Sequence, residues 1–301
     1  MKRKIALITT TFGLLILCVA STLNSSAQGS NNVPNTKSKI LYHGGRVLTG
    51  PVDLYLIWYG CWAANCGNSG SPATVDVIQR LAENIGATPY FSLNTLYTNG
   101  NGQGPSGALD YGGSVFDQSY SHGVELTEDD VKEIVTEHIE AYHLPQDARG
   151  IYVVLASADV SATAIGFCTT VGAPPLHGNT EAFFSETRFG FLGNPNRCPA
   201  LEAPQFVAAN GTLLPTPNGD FAGDALASNL ARVVNNTVSD PWGDAWYDRY
   251  GLESSDKCFG TFGQTYTTAN GARANVHWGA RDYLIQQNWL NDRRSRCALS
   301  Q

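Results

Sequence analysis

The sequence predicts a single α+β domain with a mixed sheet, and three observations carry that expectation. Residues 52–59 (VDLYLIWY) and 151–156 are continuous apolar runs of strand length, as interior strands buried on both faces are. Three other stretches, 73–85, 127–142 and 224–238, repeat their apolar residues at helical spacing. Cysteines bracket the C-terminal part, which predicts a disulfide-tied segment there. At 301 residues the chain is long enough to bury a sizeable core.

The N-terminus reads as a processing signal. Lys2, Arg3 and Lys4 precede an apolar run over 5–20, and Ser25-Ser26-Ala27 offers small residues for cleavage. Residues 1–27 are therefore expected to be a signal peptide, and 28–39, rich in Ser, Asn, Gly and Pro, a mobile arm. The apolar run is short for a membrane span and a polar segment follows it, so a secreted chain with no membrane association after signal removal is expected. A net charge of -7 argues against nucleic acid or an anionic membrane as partner.

Removing the leader takes Cys18 with it and leaves Cys61, Cys66, Cys168, Cys198, Cys258 and Cys297. An even set in an exported chain predicts disulfides, and order along the chain favours Cys61–Cys66, Cys168–Cys198 and Cys258–Cys297 among the possible pairings.

Taken in order, residues 40–45 and 52–59 are two extended segments with a Gly50-Pro51 turn between them. Val75, Val77, Ile78, Leu81 and Ile85 form a helical face that Gly86 ends. Residues 90–97 alternate like a strand, and 99–113, rich in Gly, Asn and Ser, form a long loop or hairpin tip. Thr127 and Asp130 open a second helix; His138 and His143 near its end suit the negative pole, because a spacing of five does not align them as ligands. The strand 151–156 should be central and delivers Ser157, Asp159 and Ser161 to a loop that reads as a capped turn. Residues 204–209 suggest another strand. Asp224 then caps the helix of Leu226, Leu230, Val233, Val234 and Val238, which Pro241 forces to stop. The last forty residues read as short strands or a meander closed by Cys297.

The stretch 224–258 resembles the active-site segment of secreted zincin-like proteins: a buried helix, then Thr-Asp-Pro, an aromatic loop and Gly-x-Glu-x-x-Asp-x-Cys. Here the frame is Ser239-Asp240-Pro241, and Gly251 through Glu253 and Asp256 to Cys258. That resemblance implies a single zincin-like domain around a buried central helix near 224–238. Counting back from Ser239, however, Arg232 stands where the first ligand histidine would be, Val233 where the general base would be, and Asn236 where the next ligand would be. Zinc takes imidazole, thiolate or carboxylate donors, and a guanidinium cannot ligate. No catalytic, cofactor-binding or metal-ligating residue is therefore expected there.

A wider resemblance runs from about residue 40 to the C-terminus. Tyr42-His43-Gly44-Gly45, Leu56-Ile57-Trp58-Tyr59-Gly60, Gly166-Phe167-Cys168, Leu176-His177-Gly178, Asp240-Pro241-Trp242-Gly243 and Cys258-Phe259-Gly260 are similar to ordered motifs of the phosphate-induced protein 1 or EXORDIUM-like family. The Cys61–Cys66 loop departs from plant members, in which the strand leads directly into a helix. The resemblance makes 40–301 one EXORDIUM-like domain. It implies a non-catalytic extracellular or cell-wall protein connected with growth and cell expansion, with a cell-wall polysaccharide or an extracellular protein as partner. Trp62, Trp242 and Trp246 are the candidate ligand-binding aromatics, with Trp62 and Trp246 expected to be exposed, because indole faces suit sugar stacking. The alternative is a metal-dependent peptidase or other hydrolase whose ligands have moved, to His43, His177 and His277, and it requires those side chains to converge.

Overall fold

The computed structural model describes residues 38–180 and 186–301. The predicted leader 1–27, and the arm 28–39 except for its last two residues, lie outside the described residues.

A short strand β1 (Leu41–Tyr42) precedes β2 (Gly50–Tyr59), β3 (Pro105–Asp117), β4 (Gly150–Ala156), β5 (His177–Thr180) and β6 (Thr187–Gly193). The last five form one sheet in the order β3-β2-β4-β6-β5, parallel throughout except for β5, which lies antiparallel on β6 at the edge. Parallel neighbours need crossovers. Helix α1 (Pro72–Asn84), capped by Ser71, connects β2 to β3; α2 (Glu128–Glu140), opened by a Thr127–Asp130 capping box, connects β3 to β4. Period-two alternation along β2 then divides the core. Leu54, Leu56 and Trp58 face α1 and the later helix Phe221–Ser239, while Tyr55, Ile57 and Tyr59 face α2.

After a short helical turn α3 (Pro199–Glu202), α4 (Phe221–Ser239) runs beneath the sheet and is buried along all but its first residue. Such a helix carries polar residues only where the fold supplies partners. Its close approach to β6 depends on Gly190, where an added Cβ would stand 2.5 Å from Val233 Cγ1. Beyond α4, β7 (Trp246–Tyr247) pairs with β1, and three hairpins of two or three residues per strand follow, between Tyr266 and Ala298. The disulfides Cys61–Cys66, Cys168–Cys198 and Cys258–Cys297 have the pairing expected from their order.

Several sequence expectations are corrected. Residues Phe91–Leu96 form a 3-10 helix rather than a strand, held by the Thr88 hydroxyl accepting from Phe91 N. The Gly-rich stretch expected to be a loop contributes the edge strand β3. Gly112 is there for steric reasons: a Cβ on it would come within 2.3 Å of the Tyr55 ring, and the register shifts there by one residue. Residues 204–209 contain a 3-10 turn and one isolated bridge, Val207 to Leu213, instead of a strand. The cap of α4 is Asp220, accepting from Gly223 N at 2.6 Å; Asp224 is inside the helix, bound to Asn218, with burial pushing its pKa up to about 6.

Candidate functional site

Helix α4 packs against two segments. One is the start of edge strand β5 at His177; the other is the stretch Glu253 to Cys258, which ends in a 3-10 turn over Asp256–Cys258 and is tethered by Cys258–Cys297. Asn236 docks the second segment onto the helix. Its Oδ1 accepts from Ser255 N at 2.9 Å and from Ser255 Oγ at 2.6 Å.

Arg232 is 4% exposed, with Nη2 3.3 Å from Asp256 Oδ1 and its guanidinium 5.1 Å above the Phe259 ring. His177 Nε2 lies 2.9 Å from Glu253 Oε2, both largely buried. Their alignment is that of an ion pair and not of a well-formed hydrogen bond, since Glu253 Oε2 has no hydrogen-bond partner. Burial by itself would lower the His177 pKa, but Glu253, Asp256 and Asp240 around it raise it to about 8. Burial pushes Glu253 up to about 7, against the pull of His177, and raises Asp240 as well. At neutral pH the cluster thus balances an imidazolium and a guanidinium against carboxylates that are reluctant to ionise together.

Four buried polar atoms of the cluster have no hydrogen-bond partner among the described residues: His177 Nδ1, Arg232 Nε, Asn236 Nδ2 and Glu253 Oε2. A metal does not fit this set. The cation of Arg232 already compensates Asp256, Asn236 presents its oxygen to Ser255, and Val233 is a fully buried core residue with no proton-accepting atom. Arg232, Val233 and Asn236 are all buried, Arg232 paired with Asp256 and Asn236 bonded to Ser255. The relocated-ligand alternative finds no support in the geometry. His43 stacks on Tyr247 with ring centroids 3.8 Å apart, His277 is exposed and pairs with Asp282, and His177 pairs with Glu253. Among the described residues no metal-ligating group of three includes any of them.

The candidate aromatics occupy separate surroundings. Trp62 is 1% exposed, contrary to the expectation that the cysteine loop would present it; its Nε1 donates to Tyr59 O and its ring meets Trp58 edge-on. One edge of it still lines a surface cavity of about 250 Å³ with Val75, Gln79, Gln118 and the half-exposed Phe116. Trp242 lies under the Arg46 guanidinium at 3.8 Å, and Trp246 is half-buried with Nε1 donating to Thr98 O.

At the C-terminal end of β4, Ser157 is fully buried, donates to Asp159 Oδ1 at 2.6 Å and accepts from Cys61 N; Tyr120 donates to Asp159 Oδ2. These bonds tie Ser157 and Asp159 into a local turn at the strand end. Sequence reasoning missed the fully buried pair Lys257–Asp248, at 2.9 Å. It also misjudged His138 and His143, whose Nδ1 atoms stand 3.1 Å apart because Tyr142, at φ 59, folds the chain back over the helix end.

No solved structure matches the chain. Among curated proteins it is 27% identical over 298 residues to Protein EXORDIUM-like 5 of Arabidopsis thaliana, covering 89% of this chain and 78% of that protein. Protein EXORDIUM of the same plant is 26% identical over 254 residues, 77% of this chain and 76% of its own length. Protein PHOSPHATE-INDUCED 1 of Nicotiana tabacum is 24% identical over 276 residues, 81% and 83%. The family model described as the phosphate-induced protein 1 conserved region matches residues 40–298, through the strands, α4 and the disulfide-tied end alike, and the chain belongs to that family.

Proposed function

We propose that this is an exported, non-catalytic protein that acts by binding outside the cell or at the cell wall, as its EXORDIUM-like relationship suggests, on a zincin-like frame kept as scaffold. The observation that carries the non-catalytic part is the Arg232–Asp256 pair. A fixed cation occupies the helix position from which a catalytic metal would be held, and Val233 leaves no base beside it. The ligand class is a cell-wall polysaccharide. The cavity edged by Trp62 and Phe116 supports this, since it offers apolar ring surface beside the amide groups of Gln79 and Gln118.

Co-sedimentation of the mature, disulfide-bonded protein with insoluble wall polysaccharides tests the binding. Retention that falls at least tenfold in Phe116→Ala supports it; retention unchanged by that substitution, or binding only to extracellular proteins, rejects the cavity. Incubation with peptide and glycan substrates tests the absence of catalysis. Turnover that disappears in Glu253→Gln would restore the hydrolase.

A further inference from the structure

On the other side of the sheet, α2 carries Asp130, Glu133 and Glu137 at spacings of three and four, which puts all three carboxylates on one helix face. The loop before α2 lays a single histidine across them. His122 is fixed at its backbone, where its N–H donates to Tyr59 Oη at 2.9 Å, and its side chain is only 12% exposed.

The two ring nitrogens meet different distances. Nε2 lies 3.1 Å from Glu137 Oε2, a hydrogen-bond length. Nδ1 lies 3.6 Å from Asp130 Oδ1 and 3.5 Å from Glu133 Oε2, both too long for hydrogen bonds. They are close to the separation of roughly 3.3 Å between donor atoms placed about 2.0 to 2.1 Å from a tetrahedral ion. A histidine that donates one N–H to a carboxylate and turns its other nitrogen toward two further oxygens has the arrangement of a metal ligand with its orienting partner. Asp130 is itself held: its Oδ2 accepts from Thr127 N and Oγ1 in the capping box, which leaves Oδ1 for the site. The lysine on this helix, Lys132, points to Glu128 and Asp129, and among the described residues no lysine contact compensates these three carboxylates.

We propose that His122 Nδ1, Asp130 Oδ1 and Glu133 Oε2 form a binding site for a divalent transition ion such as Zn²⁺, with Glu137 as a positioning residue acting through His122. One imidazole and two carboxylates select a borderline ion over Ca²⁺ or Mg²⁺, which take oxygen ligands in larger number. Three protein ligands leave a fourth position for water. The bound ion would cross-link the loop over 118–127 to α2. It lies on the opposite face of the sheet from α4 and is independent of the cluster there.

Isothermal titration of the untagged, oxidised protein with Zn²⁺ tests the site. The expected result is one equivalent bound, with affinity lost in His122→Asn, reduced at least tenfold in Glu133→Gln, and reduced between about tenfold and a hundredfold in Glu137→Gln, as for a second-sphere partner. Glu133 is well exposed, so its variant tests the site without threatening the fold. Equal binding of Ca²⁺, no binding of Zn²⁺, or Zn²⁺ binding unchanged in Glu133→Gln overturns the proposal. Binding abolished by Glu253→Gln and retained in Glu133→Gln would place the ion at α4, overturning this site and the non-catalytic reading together.

Discussion

His177 and Glu253 face each other at 2.9 Å, one from the edge strand and the other from the disulfide-tied segment beyond α4, and both are raised in pKa. Each holds a proton more tightly in the folded chain than in the unfolded one. For Glu253 the resulting stability is full below its ordinary 4.5 and is lost as pH rises through about 7. For His177 it is full below 6.5 and is lost as pH rises through about 8. The thermal midpoint of the wild-type protein should therefore fall between pH 5 and pH 8, and Glu253→Gln should flatten that fall throughout, since it removes both the titration of Glu253 and the charge that most raises His177. Differential scanning calorimetry across the interval decides it; wild type and variant keeping parallel slopes would show that the pair does not carry the effect.

Arg232 and Asp256 are both buried, so removing one partner leaves a charge without compensation. Arg232→Leu should cost about 3 to 5 kcal/mol in urea unfolding. Because the loss comes from stranding Asp256, the double variant with Asp256→Asn should recover a large part of it. Additive losses would mean that the two side chains do not act as a pair.

Cys258–Cys297 closes a loop spanning 39 positions. In the chain-entropy account, replacing both cysteines by alanine costs about 4 kcal/mol. The hairpins it encloses have strands of two or three residues, so their amides should lose hydrogen-exchange protection before those of β2 and β4. Protection lost uniformly across the chain would show that the hairpins unfold only with the sheet.

Gly60 sits at φ 92, and a Cβ there would fall 2.0 Å from Ser157 Oγ. Gly60→Ala should destabilise by more than the ~1 to 2 kcal/mol of the left-handed conformation, since the strand ends of β2 and β4 must also separate. Gly44 has φ 97 with open space around its missing Cβ, so Gly44→Ala isolates the conformational part. Equal losses in the two variants would remove the steric contribution.

Apolar runs and helical spacing made two of the sheet's five strands, β2 and β4, and all three longer helices legible. β2 and β4 are buried on both faces and so are written as unbroken apolar runs, and the Thr127–Asp130 box works through local bonds alone. β3 was hidden because an edge strand pressed against Tyr55 needs glycine where composition suggests a loop. At the candidate site, the motif count located Arg232, Val233 and Asn236, but no local pattern joins His177 to Glu253, which meet only through tertiary packing. The His122 cluster escaped for a similar reason: its carboxylates share a visible helical spacing, while the histidine that faces them arrives from a loop.

The pairing of β1 with β7 sets a condition on biogenesis. Leu41 finds its partner at Tyr247, roughly two hundred residues later, and Ser38 bonds to both Lys257 and Asp248 beside it. β1 thus cannot settle until β7 and the segment around Asp248 and Lys257 have been made, so this corner of the fold closes only after the strands of the central sheet are already complete.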